Sequence, residues 1–223
     1  MANSNENTMR LVSVNIGQER SIQGAKSSGK TGIYKQPAAA PVQINTLGLT
    51  GDAICDTKNH GGVDQAVYVY GAPDYAWWSQ ILGYELAPGT FGDNLTITGL
   101  ESARMQIGDR MALGSVILEV TSPRIPCVTL AARMGNPEFA KLFKEAERPG
   151  LYCRVIQTGT VQAGETVTYQ RYPHETITIL EMFRDYYKKE LDEATLRRYI
   201  ATPAHYKDRI EKIAMLKKMG LNP

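Results

Sequence analysis

Strong net charge is the first thing this chain lacks: 25 lysines and arginines stand against 23 aspartates and glutamates, leaving a formal +2. A protein that follows duplex phosphates carries a far stronger positive field, so no nucleic-acid duplex is expected as a partner and any anion site must be local. Long apolar runs are missing too, which predicts no membrane-spanning helix. The residues Met1-Ala2-Asn3-Ser4-Asn5-Glu6-Asn7-Thr8 show neither the basic nor the apolar region of a secretory signal. Cys55, Cys127 and Cys153 are odd in number and form no Cys-x-x-Cys pair. They suggest no disulfide framework, structural zinc site or plant-type iron–sulfur cluster. No Gly-x-Gly-x-x-Gly fingerprint for a flavin or nicotinamide is present. Together these absences predict a cytoplasmic protein with reduced thiols and no membrane association.

What is present is the pattern of a folded β protein. At 223 residues the chain suits one large domain, or one domain with a small appendage. After a polar stretch over 1–10, read as a disordered tail, Leu11-Val12-Ser13-Val14-Asn15-Ile16 reads as a first strand. Further strands are expected over 42–47, 66–70, 94–98, 110–113, 116–121, 152–157 and 166–171. Turns such as Gly108-Asp109, Gly114-Ser115 and Gly164-Glu165 separate them. Two helices interrupt the strands. One covers 73–82, with Pro73 in its first turn, and the other covers 137–146, with Asn136 as N-cap ahead of Pro137. The class is mainly β with inserted helices, a β-barrel over 11–172. Beyond it, Ile177, Ile179, Leu180 and Phe183 recur at helical spacing, and three short helices are expected over 173–223. Asp192 caps the second of these. Thr202 and Pro203 open the third, with Ile210, Ile213, Ala214 and Leu216 on one side and Gly220 at its end. The basic residues of this segment, Lys212 among them, alternate with acids and read as a solvated face.

The chemistry concentrates at Cys127, which closes Ser122-Pro123-Arg124-Ile125-Pro126-Cys127 after the strand-like run Val116-Ile117-Leu118-Glu119-Val120-Thr121. Each proline fixes its own φ and biases the residue before it toward extended backbone, so the thiol sits on a stiffened segment. Arg124 carries a permanent charge suited to phosphate or carboxylate and favours the thiolate. A helix starting just after Cys127 lowers the thiol pKa further. Such a sulfur can coordinate a soft metal or attack, whereas Cys55 and Cys153 read as inert buried cysteines. Gly29-Lys30-Thr31-Gly32-Ile33-Tyr34-Lys35 offers close backbone approach and two lysines for a phosphate. Residues 24–31 satisfy the bare Walker A spacing, but Gly32 follows at once and Pro37 and Pro41 forbid the helix that a P-loop opens. Asn59-His60-Gly61-Gly62 places a histidine in a turn whose glycines favour ligand contact over simple solvation. Gly92-Asp93-Asn94-Leu95-Thr96 reads, in isolation, as a turn capped by its own side chains, and Tyr75, Trp77 and Trp78 as core or interface aromatics.

Taken in order, Gly48-Leu49-Thr50-Gly51-Asp52, Asn59-His60-Gly61-Gly62, Gly92-Asp93-Asn94-Leu95-Thr96 and Pro123-Arg124-Ile125-Pro126-Cys127 resemble the MOSC family, named for the C-terminal domain of molybdenum cofactor sulfurases. Within it the chain is similar to the YiiM-type proteins, in which a MOSC barrel precedes a three-helix C-terminal domain. The resemblance implies a barrel that binds the molybdenum cofactor, with Cys127 as the catalytic residue and as the thiolate ligand to molybdenum beside the pterin dithiolene. By the same resemblance Lys30, Thr31, Lys35, His60 and Arg124 hold the cofactor's anionic end, and Asn94 shapes the pocket. Two positions depart from the pattern: Asp93 stands where relatives usually carry glutamate, and Thr129 where a basic residue is common. The implied activity is reduction of N-hydroxylated compounds, such as 6-N-hydroxylaminopurine, to amines. No bound flavin, haem or iron–sulfur cluster is expected, so a separate flavoprotein or iron–sulfur protein has to supply the electrons. A homodimer is compatible with this reading. Readings from other classes are a non-catalytic carrier of the cofactor or of sulfur, and a hydrolase with Cys127 as nucleophile and His60 as base.

Overall fold

The computed structural model describes residues 9–24, 29–57 and 60–223. Of the tail expected over 1–10, residues 1–8 lie outside the described residues, as do part of the glycine- and lysine-rich loop, Lys58 and Asn59; Met9 and Arg10 are strand instead, paired with Val167 and Thr166. The first strand, β1 (Met9–Gly17), begins two residues earlier than the apolar run suggests and buries Leu11 and Val14. Short pieces follow: β2 (Arg20–Ser21), β3 (Lys30–Thr31), β4 (Lys35–Pro37), β5 (Val42–Asn45) and β6 (Gly48–Leu49). Next come β7 (Val67–Gly71), helix α1 (Ala72–Leu82), β8 (Leu95–Ile97), β9 (Arg110–Leu113) and β10 (Val116–Pro123). Helices α2 (Val128–Arg133) and α3 (Phe139–Ala146) lead into β11 (Leu151–Gln157), β12 (Gly159–Val161) and β13 (Thr166–Gln170). The chain ends in α4 (Ile179–Asp185), α5 (Glu193–Ala201) and α6 (Tyr206–Lys218).

Seven of these strands close on themselves in the order β13, β9, β10, β11, β7, β8, β1, with β1 returning to pair with β13. Closure removes the unpaired edges that an open sheet leaves. Neighbours run antiparallel except β7 and β8, which are parallel because α1 crosses between them. The fold is therefore a closed seven-strand β-barrel with helices, as the strand pattern predicted. Lys30 and Thr31 form a strand paired with Arg20 and Ser21, which rules out a P-loop at that segment.

The barrel interior is aliphatic, with Val69, Leu95, Ile97, Leu118 and Val120 fully buried. A second, aromatic cluster of Tyr70, Tyr75, Trp78, Phe91, Phe139 and Phe143 packs α1 and α3 onto β7. Asp93 belongs to this cluster and does more than cap a turn. Fully buried, it accepts hydrogen bonds from the Tyr75 hydroxyl, from Thr96 Oγ1 at 2.7 Å and from Asn15 Nδ2 at 3.4 Å. Burial raises its pKa, opposed by the Tyr75 and Thr96 bonds.

Two helix starts differ from the sequence reading. Helix α3 begins at Phe139, two residues after Pro137, because Asn136 Oδ1 accepts from Glu138 N at 2.9 Å in a turn that precedes the helix. The last helix begins at Tyr206 with His205 as its cap, Nδ1 accepting from Lys207 N at 3.1 Å. Thr202 instead closes α5, donating to Tyr199 O at 3.0 Å. Asp192 does cap α5, accepting from Thr195 N at 2.8 Å. The buried side of α6 also differs: Lys212 is only 7% exposed while Ile210 is 60% exposed. The docking of α6 beside Tyr199 of α5, not its count of apolar residues, selects this face, and the Lys212 stem supplies apolar cover.

The helical segment shares the barrel's core. Ile177, Ile179, Met182, Tyr199 and Ala204 join the cluster that fills the barrel. Arg154 on β11 fixes the approach to α6: it pairs with Asp64 at 3.0 Å and Glu119 at 3.4 Å, and donates to Pro203 O at 2.9 Å and Ala204 O at 3.3 Å. Replacing Arg154 with Met is expected to cost about 3 kcal/mol, because a buried carboxylate is left without its cation. Urea denaturation measures that loss. Hydrogen exchange should show α6 amides opening before those of β10, and equal protection of the two elements would contradict the clamp.

Candidate functional site

Three cross-strand partners lay the floor of the site. Ser122 on β10 pairs with Tyr152 on β11, and Tyr152 pairs with Tyr68 on β7. Residues paired across a sheet project to the same face, so these side chains form one row. The rings of Tyr68 and Tyr152 lie 5.1 Å apart. Just past the end of β10, Arg124 places its guanidinium 5.3 Å over the Tyr68 ring and 5.8 Å from the Phe143 ring. The register of β10 shifts between Val120 and Ser122, and the two prolines hold the chain extended until α2 starts at Val128. Cys127 is the residue before that helix.

Arg124 is 4% exposed, and its Nη1 has no hydrogen-bond partner among the described residues. Burial alone would lower its pKa, but Tyr68, Tyr152 and Cys127 hold it above the usual value, and it stays a cation. For Cys127, burial pushes the thiol up. A hydrogen bond from His60, the Arg124 charge and the Leu130 N–H outweigh burial and bring the pKa down to about 6. The sulfur is therefore mostly thiolate at neutral pH. Cys153 is buried in the barrel, where burial raises its thiol, as the sequence suggested. Cys55 is not a core cysteine: it is half-buried on the cavity wall, and burial with the Glu19 carboxylate keeps it protonated.

One cavity brings together all the candidate residues: Lys30, Thr31, Lys35, His60, Asn94, Arg124 and Cys127 line it. Their charges are not equivalent. Lys30 is exposed and paired with Glu19 at 2.6 Å. Lys35 is buried, with its ammonium on both oxygens of Asp52. Asp52 also accepts from Gly17 N at 2.7 Å and from Asn94 Nδ2 at 2.9 Å. Asn94 in turn accepts from Tyr68 N at 3.1 Å, so Asn94 and Asp52 fix the wall on which Lys35 rests. Thr31 is buried, and its Oγ1 accepts from Ile33 N. Gly32 lets this segment touch the facing one, since a Cβ there would stand 1.9 Å from Ala53 O. The sequence reading missed Tyr68 and Tyr152 as site residues, and quoted Asp52 in a motif without giving it a role.

A thiolate beside a buried cation with an unmade hydrogen bond suits a ligand that carries both an anionic group and a soft metal. Among the described residues no group of three or more histidines, cysteines, aspartates or glutamates could hold a metal ion. A metal bound at Cys127 would have to arrive with other ligands of its own.

The family model described as MOSC domain matches residues 56–168, which include His60, Asn94, Arg124 and Cys127. This chain belongs to the MOSC family. The uncharacterized protein YflK of Bacillus subtilis is 36% identical to this MOSC protein over 154 residues, 69% of this chain and 70% of YflK. A protein named Reductase from Gibberella moniliformis is 32% identical over 160 residues, 68% of this chain but only 28% of the fungal one. The crystal structure of YiiM from Geobacillus stearothermophilus superposes with a TM-score of 0.76 at 25% identity, covering 93% of this chain and 99% of YiiM.

Iodoacetamide labelling tests the electrostatics. Only the thiolate attacks, so in the cofactor-free protein the rate at Cys127 is expected to rise with pH through a midpoint at about 6. Arg124→Met removes a charge that favours the thiolate. The midpoint should move up, and labelling below it should fall about tenfold per pH unit of displacement. A midpoint unmoved by that substitution would break the assignment.

Proposed function

We propose that this MOSC protein reduces N-hydroxylated compounds to amines with the molybdenum cofactor, using Cys127 as the protein's ligand to the metal. The observation that carries the reading is the Cys127 thiolate standing next to the unpaired Nη1 of buried Arg124 in one cavity. The residues fit the group: a soft sulfur for the metal, and a buried guanidinium with Lys30 and Thr31 in the same cavity for the pterin phosphate. When bound, the cofactor supplies two-electron chemistry at the N–O bond. The balance is R–NH–OH plus two electrons and two protons giving R–NH2 and water.

The chain's own groups have narrower tasks. His60 donates to the sulfur and keeps it deprotonated and oriented, and Arg124 compensates its charge. The Tyr68 and Phe143 rings keep water off the guanidinium, and Asn94 with Asp52 holds the wall. The electrons have to come from a separate flavoprotein or iron–sulfur protein. In keeping with that, the fungal relative named Reductase extends far beyond the region it shares with this chain. We place the protein in the cytoplasm, where free thiols such as these three stay reduced. Among the described residues no helix is long and apolar enough to cross a membrane.

Protein made in molybdenum-replete, cofactor-competent cells is expected to hold about one molybdenum per chain and, given a chemical reductant, to convert a hydroxylamine to its amine catalytically. Cys127→Ala should lose both metal and turnover. Equal molybdenum in the two proteins would defeat the ligation, while stoichiometric cofactor binding without turnover would mark a carrier instead of an enzyme.

A further inference from the structure

Tyr34 stands between Ile33 and Lys35, which both line the Cys127 cavity, but does not line it itself. Its ring is half-buried against the aromatic cluster, and two cations share it. The Arg133 guanidinium lies 4.6 Å from the ring centroid and the Arg20 guanidinium 5.8 Å from it. The two charges are therefore no farther apart than the sum of those distances. They come from unlike places, Arg20 from the short strand β2 and Arg133 from the last turn of α2. The chain after β2 meets α2 at Gly24, where a Cβ would stand in ordinary contact, 3.8 Å from the Ala132 Cβ.

Neither arginine is spent on a task inside the protein. Among the described residues neither forms an ion pair, and Glu19, next to Arg20 in sequence, is taken by Lys30 at 2.6 Å. Helix capping does not employ Arg133 either. The Leu130, Ala131 and Ala132 carbonyls at the end of α2 accept from the Met134, Asn136 and Gly135 amides. The Nε of Arg133 is buried and has no hydrogen-bond partner among the described residues. A buried donor left unmet costs free energy, and two like charges at one ring repel each other. Attraction of each cation to the ring accounts for one stacked arginine, not for two without an acid.

We propose that Arg20, Arg133 and Tyr34 form a second anion site, beside the Cys127 cavity and separate from it, that takes the phosphate group of a small phosphate ester. Guanidinium forks bind phosphate oxygens in pairs, and a dianion within reach of both forks removes their repulsion. Its oxygens also offer an acceptor to the unmet Nε. A phosphate suits two converging cations better than a carboxylate does, because it carries close to two charges and three strong acceptors. Tyr34 is the platform that holds the forks. The site differs from the one at Arg124: Arg133 lies one turn of α2 beyond Thr129, which lines the cavity, and none of Arg20, Tyr34 and Arg133 lines it. It stands whether or not the protein is a reductase.

Phenylglyoxal modifies arginine, and peptide mapping by mass spectrometry reads each arginine separately in the cofactor-free full chain. The probe is inorganic phosphate at about pH 8, where it is mostly a dianion, against sodium chloride at equal ionic strength. Phosphate is expected to slow modification of Arg20 and Arg133 together, with one half-protecting concentration. Arg20→Ala should raise that concentration at Arg133 about tenfold, and Arg133→Met should do the same at Arg20. Arg20 is exposed, so its removal leaves the fold intact even if Arg133→Met folds poorly. Arg124→Met, which takes the free cation out of the cavity, should leave both values unchanged. Equal protection by chloride would show screening alone and overturn the site, as would protection of Arg133 that survives Arg20→Ala unaltered. Loss of protection in Arg124→Met would place the phosphate in the cavity and overturn it too. In protein loaded with cofactor, both arginines should stay reactive and still be protected by phosphate. Loss of their reactivity on loading alone would give the anion to the cofactor and refute a separate ligand.

Discussion

The structure turns on one buried cation. Arg124 lies against the Tyr68 and Phe143 rings, with one nitrogen of its fork unpartnered among the described residues and the Cys127 sulfur among the groups that favour its charge. An uncompensated charge in a protein interior costs several kcal/mol, so guanidinium and thiolate hold each other in their ionised forms. The His60 hydrogen bond adds to the hold on the thiolate, and Tyr68 and Tyr152 add to the hold on the guanidinium. Everything near them serves to keep the pair at its separation: the register shift in β10, the two prolines, and the start of α2 at Val128.

Lys35 shows what an ordinary buried cation looks like in the same cavity. Its ammonium sits on both oxygens of Asp52, and that carboxylate is further satisfied by Gly17 and Asn94. Such a closed network stiffens a wall and offers little net field to an incoming anion. The contrast with Arg124 localises the pull on a negative ligand to one end of the cavity, although the chain as a whole is nearly neutral. It also gives the lysines unequal tasks, which a motif containing both could not express.

How far the sequence could be read follows from the range of each cause. Strand β9 falls at Arg110–Leu113 as its residues alone suggest, because glycine turns and alternation are local signals. The Cys127 segment was legible for the same reason, since prolines act on their own neighbours. The Tyr68–Tyr152 floor was not, because it depends on the registers of three strands that are distant in sequence. Tyr68 read as one more strand aromatic. Nor could the burial of Lys212 be seen, for it is decided by what α6 docks against and not by the helix's own pattern. Asp93 looked like a turn cap and proved to be the polar centre of an aromatic cluster, which only tertiary packing determines.

The helical segment and the site are tied through a single carboxylate. Asp64, two residues beyond Gly62 in the loop that carries His60, binds Arg154 through Oδ1 and the Tyr206 amide through Oδ2. Its backbone oxygen accepts from Thr121 on β10, the strand that delivers Arg124 and Cys127. The seating of α6, the position of the His60 turn and the end of β10 thus share one joint. A shift of α6 would reach the His60 loop and β10 through Asp64, which Tyr206, Arg154 and Thr121 all contact.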